Sequence, residues 1–259
     1  MKHVRTGLGV LAIAGAVWMP ASAAIAADLI AITDQREVIY FSDSDPGKAV
    51  RRGLHGTGGW MVGFDVRPAD GMLYGVTSEG ALLSINAATG VASFKAILSV
   101  PLERVGGYLV DFNPVADRLR IVGAGGQNLR VNVDTGATIE DGRIRGVAGG
   151  AAPRIMAGAY TNSIRGASAT QLYVFDGASG GYALQNPPND GVLQPVGTAG
   201  MVVDAADIVS DATGNRGFLV SGNVLYAFDP ATGAVRPIGP IGAGVIGKVI
   251  DIAVLPPRM

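Results

Sequence analysis

An all-β ring, a five-bladed β-propeller closed by pairing of its C-terminal strand with its N-terminal strands, is the fold the sequence predicts. Three observations carry the prediction. A short apolar strand with a notch at its centre recurs five times, at Asp65, Asp111, Ala159, Asp207 and Asp251. The steps between those positions are 46, 48, 48 and 44 residues, the near-constant period of one four-stranded blade per repeat. The two ends of the chain each supply part of a blade, and together they supply a whole one.

The complete units read as strands separated by tight turns. In the second unit Met61–Val66 is the inner strand and Arg67-Pro68-Ala69-Asp70-Gly71 a turn. Strands then follow at Met72–Thr77, Ala81–Asn86 and Val91–Ile97. Glycine and Asp-Gly provide the positive φ that such turns require. The third unit runs from Tyr108 to Arg145 and the fifth from Ala206 to Ile238. The fourth fits with a long first loop, Thr161–Thr170, before strands at Gln171–Asp176, Tyr182–Gln185 and Val192–Val196.

The N-terminal strands, Leu29–Thr33, Glu37–Ser42 and Ala49–Gly53, lack an inner partner, and Lys248–Leu255 is an inner strand without the other three. Joining them closes the ring and removes two open sheet edges, which otherwise invite aggregation. A β-sandwich with regular turn spacing is the competing architecture.

Residues 1–26 read as a cleaved secretory signal peptide: Lys2 and Arg5, an apolar run from Gly7 to Met19, then Ala24-Ile25-Ala26 as the cleavage site. The run is too short to span a bilayer. With no arginine pair in the basic region, the general secretory route is expected. Removing 26 of 259 residues leaves 233 for a single domain, 27–259. Loss of Lys2 and Arg5 takes the net charge from −1 to −3, which gives no electrostatic basis for binding nucleic acid. No later segment is long and apolar enough for a membrane span. The expected location is the bacterial periplasm or medium, and the expected state a monomer.

Absent residue types exclude chemistry. There is no cysteine, hence no disulfide, thiolate metal site or cysteine nucleophile. His55 is the one histidine beyond the leader, too few for a three-histidine zinc site or a facial iron triad. It sits in a glycine-rich connector between blades, Gly53–Gly59, and reads as a solvated loop histidine rather than the base of a hydrolase triad. Asp43-Ser44-Asp45-Pro46-Gly47 is too short for a calcium loop and reads as an Asx-type turn.

Three constellations remain. The repeat places Asp65, Asp111, Asp207 and Asp251 at like radius and height around the channel. Converging carboxylates can bind a cation, calcium being the one the residue set allows, or form an acid/base pair. Repetition favours a structural role, because catalysis needs unequal groups in unequal settings. The second lies in the third unit. Side chains alternate along a strand, so Arg118 and Arg120 share one face, and Asn128, Arg130 and Asn132 share another. Paired as a hairpin they would present a cluster suited to carboxylates, phosphates or sugar hydroxyls, or an inter-blade network tied to Asp117, Asp134 or Asp141. The third is the stiffened loop Asn186-Pro187-Pro188-Asn189-Asp190-Gly191, with Asn186, Asn189 and Asp190 displayed.

Asp111-Phe112-Asn113-Pro114, Asp117-Arg118-Leu119-Arg120, Gly126–Asn132, Asp134-Thr135-Gly136, Ala159–Ser163 and Gln185–Gly191 together resemble the bacterial secreted family catalogued as domain of unknown function 4394. The resemblance covers nearly the whole mature chain and is most specific over 108–193. It implies export and a propeller-like fold, and it transfers no catalytic residue. Leu109-Val110 departs from the family pattern, which has a glycine beside the aspartate. The function expected is a non-catalytic module binding a small molecule, a glycan or an exported protein, with no cofactor. The alternative is a carboxylate-dependent hydrolase or lyase on a carbohydrate-like substrate, calcium-assisted, whose two carboxyl groups would stand roughly 5–10 Å apart in an open pocket.

Overall fold

The computed structural model describes residues 26–146, 152–243 and 247–256. The expected signal peptide lies almost wholly outside the described residues. Every sheet has four antiparallel strands, and each sheet is one blade. Blade one joins β20 (Val249–Val254) to β1 (Asp28–Thr33), β2 (Glu37–Ser42) and β3 (Asp45–Gly53). Blade two holds β4 (Met61–Val66), β5 (Leu73–Thr77), β6 (Ala81–Asn86) and β7 (Val91–Ile97). Blade three holds β8 (Tyr108–Asn113), β9 (Arg118–Gly123), β10 (Asn128–Val131) and β11 (Thr138–Glu140). Blade four holds β12 (Ile155–Tyr160), β13 (Leu172–Asp176), β14 (Gly181–Gln185) and β15 (Leu193–Thr198). Blade five holds β16 (Ala205–Asp211), β17 (Gly214–Ser221), β18 (Val224–Phe228) and β19 (Val235–Pro240).

The closure is antiparallel pairing of β20 with β1, with Ile30 opposite Ala253 and Ile32 opposite Asp251. The five inner strands β4, β8, β12, β16 and β20 neighbour one another in that cyclic order. Strand limits match the sequence expectation to within a residue or two, except that β3 starts at Asp45, four residues early. Asp43 and Ser44 form the tight turn between β2 and β3, but the Asp43 carboxylate is turned outside it. It accepts the N–H of Ala27 at 2.8 Å and pins the start of the folded chain.

The core is five slabs, each filling the gap between two blades. Leu29, Phe41, Phe218 and Ile252 fill one, and Ile30, Val38, Phe64 and Leu83 the next. Tyr74, Phe112 and Leu129 fill the third, Leu109, Tyr160 and Val174 the fourth, and Phe175, Tyr182 and Phe228 the fifth. Each buried large side chain contributes roughly 1.5–3 kcal/mol relative to exposure, so the gaps between blades dominate the stability of the ring.

The interior also explains the departure at Leu109-Val110. A Cβ on Gly63 of blade two would meet Val110 Cγ2 at 2.4 Å, and one on Gly158 of blade four would meet Leu109 Cδ1 at 2.5 Å. The two bulky residues of β8 occupy the space that glycines on both flanking inner strands leave open.

Outside the core, the segment leaving four of the five outer strands, all but β15, bonds the last hairpin of the following blade. His55 N–H donates to Gly90 O at 2.9 Å, Ser99 N–H to Gly136 O at 3.0 Å, and Arg145 N–H to Gly191 O at 2.9 Å. Gly242 N–H completes the series onto Pro46 O at 2.9 Å, across the closure. His55 is thus an exposed connector residue whose backbone is structural.

Candidate functional site

The repeat carries four of the five notch positions into the channel as buried aspartates: Asp65, Asp111, Asp207 and Asp251. Each carboxylate reaches across a blade boundary to a backbone amide. Asp251 Oδ2 accepts Phe64 N–H at 2.9 Å, Asp65 Oδ2 accepts Phe112 N–H at 2.7 Å, and Asp111 Oδ1 accepts Tyr160 N–H at 3.0 Å. Asp207 Oδ2 accepts Val254 N–H at 2.5 Å. The second oxygens of Asp65, Asp207 and Asp251 each accept the next residue's own N–H, from Val66, Ile208 and Ile252. Four of the five blade junctions are thereby laced. Ala159 leaves the junction between blades four and five without such a bond.

Asp65, Asp111 and Asp207 bring one oxygen each to within 4.8 Å of one another. Burial raises all four carboxyl pKa values above the usual range. Neighbouring charge adds to this at Asp65, from Asp207 and Asp251, and at Asp111, chiefly from Asp65 and Asp207. Asp207 is lifted to about 6. Two or three carboxylates this close cannot all stay ionised in a low-dielectric channel.

Both ends of the channel are open cavities. Where the inner strands finish, a cavity of about 230 Å³ has Asp65 and Asp207 in its wall, Ser163, Arg165 and Ser210 beside them, and Pro68 and Pro256 among its other lining residues. Where the inner strands begin, one of about 240 Å³ is lined by Met61, Tyr108 and Met156 and by Asp204 with Lys248, an ion pair at 3.2 Å. Ser163 and Arg165 come from the long loop between β12 and β13. The sequence marked that loop as an irregularity and gave no reason to see it as part of a binding surface.

The blade-three residues divide. Arg120, Asn128, Arg130 and Asn189 are brought together, with Asp141 and Tyr160. Arg120 stands opposite Asp111 on one side and Arg130 on the other, so the three share the face toward blade four. Its guanidinium is buried, and all three of its nitrogens donate. It donates from Nη1 to Asp141 Oδ2 at 2.7 Å and Asn128 Oδ1 at 2.8 Å, from Nη2 to Asn189 Oδ1 at 2.7 Å, and from Nε to Tyr160 OH at 3.2 Å. Arg130 holds Asp141 bidentately at 2.6 and 2.8 Å, its own side chain 30% exposed. Asn128 Nδ2 and Gln185 Nε2 both donate to Pro188 O. The net result is a clamp on the loop 186–191, which contains a cis Asn186–Pro187 bond and a short 3₁₀ turn, Pro188–Asp190.

The other sequence candidates bring no side-chain hydrogen bond to that clamp. Arg118 donates to the carbonyls of Asp117 and Ala116. Strand β10 ends at Val131, so Asn132 lies in the following turn, where its side chain accepts Asp134 N–H at 2.9 Å. Asn186 is held by its backbone, to Val192 O and from Gln194 Nε2. Asp190 offers its carbonyl to Arg145.

Asp117 and Asp134 pair with an arginine the sequence did not single out. Arg67 of blade two grips Asp117 with Nε and Nη2 at 2.7 and 2.6 Å, and also reaches Asp134 and Asp70. This partner stands 50 residues from Asp117, and no local pattern announces it.

These features belong to a known family. The family model described as Domain of unknown function (DUF4394) matches residues 37–253, and the chain is a member of that family. No curated protein matches the sequence. Among solved structures, a structural genomics protein of unknown function from Bacteroides thetaiotaomicron superposes with a TM-score of 0.54 at 17% identity. It aligns over 90% of this chain and 65% of its own, so the chain spans just under two thirds of it. Structures titled U3-55K and RRP9 WD40 repeats align at TM-scores of 0.45 each and 12% and 11% identity. They cover 71% and 81% of this chain and 53% and 56% of theirs. At 17% identity the likeness to the Bacteroides thetaiotaomicron structure concerns the fold alone.

Proposed function

We propose that this chain is an exported, non-catalytic propeller that binds a small polar ligand at the channel mouth where the inner strands finish. The observation that carries the reading is the state of the carboxylates beside that mouth. All four are buried, and each accepts at least one amide from the neighbouring blade. A glycoside-cleaving pair needs two carboxyl groups free to meet substrate and water. The mouth itself offers the Ser163 hydroxyl and the Arg165 guanidinium in a 230 Å³ cavity, with Ser210 tied to Asn215 beside them, donors that suit hydroxyls or a carboxylate.

Export rests on the basic and apolar leader and on the start of the fold: Ala27, the first residue after the expected cleavage point, is buried and bound by Asp43. A thermal-shift screen of the mature protein against sugars, sugar acids, nucleotides and calcium chloride tests the function. Binding to the native state raises the midpoint, and Arg165→Ala removes the rise while leaving the unliganded midpoint unchanged. Turnover of a sugar substrate, or a ligand whose effect survives Arg165→Ala, contradicts the proposal.

A further inference from the structure

We propose that Asp111 is a carboxylic acid in the native protein at neutral pH, kept neutral by its burial beside the carboxylates of Asp65 and Asp207, so that the closed ring takes up a proton as it folds. The geometry selects Asp111 from the three. Asp65 accepts two backbone N–H groups, from Phe112 and Val66, and Asp207 two, from Val254 and Ile208. Paired amides favour the ionised form. Asp111 accepts one, from Tyr160, through Oδ1. Its Oδ2 accepts no backbone amide and is the oxygen left to carry a proton, and one oxygen each of Asp65, Asp111 and Asp207 lies within 4.8 Å of the other two.

Among the described residues, the ring aspartates form no ion pair: their hydrogen bonds come from backbone amides. Inner strand β20 adds a fourth carboxyl, Asp251, and β12 presents Ala159 and Tyr160. Opposite the ring stand Tyr74 for Asp65, Phe218 for Asp207 and Ile32 for Asp251. Arg120 stands opposite Asp111, but its guanidinium is directed to Asp141, Asn128, Asn189 and Tyr160. Arg67 at the end of blade two is held by Asp117, Asp134 and Asp70. Arg165 lines the mouth with Asp65 and Asp207.

The direction of the pH effect follows. A carboxyl whose folded pKa lies above its unfolded value near 3.8 binds more protons in the native state between those two values. Stability is therefore fully present below the unfolded value and falls as pH rises, the unfolding constant growing about tenfold per pH unit for one proton until the folded pKa is passed. Ordinary exposed aspartates, ionised in both states above pH 5, would leave that range flat.

Unfolding the mature protein by urea in unbuffered solution at pH 7, with the proton balance followed by a pH electrode, gives the test. Release of about one proton per molecule is expected, and Asp111→Asn, whose amide mimics the neutral acid, abolishes it while its denaturation midpoint at pH 8 equals or exceeds that of the wild type. Asp207→Asn lowers the midpoint, because one side-chain oxygen cannot accept both amides. No release from the wild type overturns the proposal, as does unchanged release from Asp111→Asn. If Asp111→Asn does not fold, the wild-type infrared spectrum decides: a protonated carboxyl band at pH 7 supports the proposal and its absence overturns it. A midpoint raised by calcium chloride at pH 8 together with loss of the proton release also overturns it, since the carboxyls would then share a cation.

Discussion

Replacing Arg120 by alanine separates the two roles the sequence left open for the blade-three cluster. The side chain is 1% exposed and makes four side-chain hydrogen bonds to four different residues. Its removal strands Asn128 Oδ1, Asn189 Oδ1 and the Tyr160 hydroxyl, and leaves Asp141 with Arg130 alone. Breaking a buried pair typically costs 3–5 kcal/mol, and since Arg130 still neutralises Asp141 the lower end, about 3 kcal/mol, is expected. For a domain of this size that corresponds to a fall in Tm of about 6–12 °C. Urea denaturation measures the loss, and hydrogen exchange locates it: the Gly142 and Arg145 amides, bonded to the 186–191 loop, should lose protection. Arg118→Ala, which removes only contacts to nearby carbonyls, should stay within about 0.5 kcal/mol of wild type. A stable Arg120→Ala protein that has lost ligand affinity would refute the reasoning and make the cluster a binding site.

Three other outcomes are expected. Gly158→Ala drives a methyl to 2.3 Å from Tyr173 O and 2.5 Å from Leu109 Cδ1, an overpacking worth about 1–3 kcal/mol in urea denaturation. Arg67→Ala should remove the acid sensitivity of the blade-two to blade-three brace. Hydrogen bonding to Arg67 lowers the Asp117 pKa, so the wild-type contribution is present above the unfolded value near 3.8 and is lost as pH falls through the folded value; a wild-type and variant that lose stability in parallel below pH 4 would contradict it. Secretion from a bacterial host should yield Ala27 as the first residue by N-terminal sequencing, with its new ammonium against Asp43. Asp43→Asn should then lower the midpoint of the processed protein.

What the sequence disclosed was whatever repeats or lies within one hairpin. The notch at Asp65, Asp111, Ala159, Asp207 and Asp251 located all five inner strands, because the same strand must face the channel in every blade. The incomplete ends disclosed the closure for the same reason. What it concealed was contact between blades. Asp141 lies close in sequence to Arg130, yet the network they share with Arg120 depends on Asn189 and Tyr160 from the next blade. Arg67 reaches Asp117 across the same kind of boundary. Asn132 was misplaced by one strand end, since β10 stops at Val131 and the alternation that grouped Asn132 with Arg130 stops with it. The glycine missing beside Asp111 made sense only when Gly63 and Gly158 were seen on either side of it.

The claim on which the functional reading turns is that the ring carboxyls serve the fold. Carbon-13 NMR of the aspartate side-chain carboxyls across pH 3 to 9 addresses it directly. The account predicts that Asp111 keeps a protonated shift at neutral pH, that Asp65, Asp207 and Asp251 titrate above ordinary aspartate, and that added sugars move none of them by direct contact. Four carboxyls ionising together near the value of free aspartate, or one shifting on sugar binding as its partner does not, would contradict it.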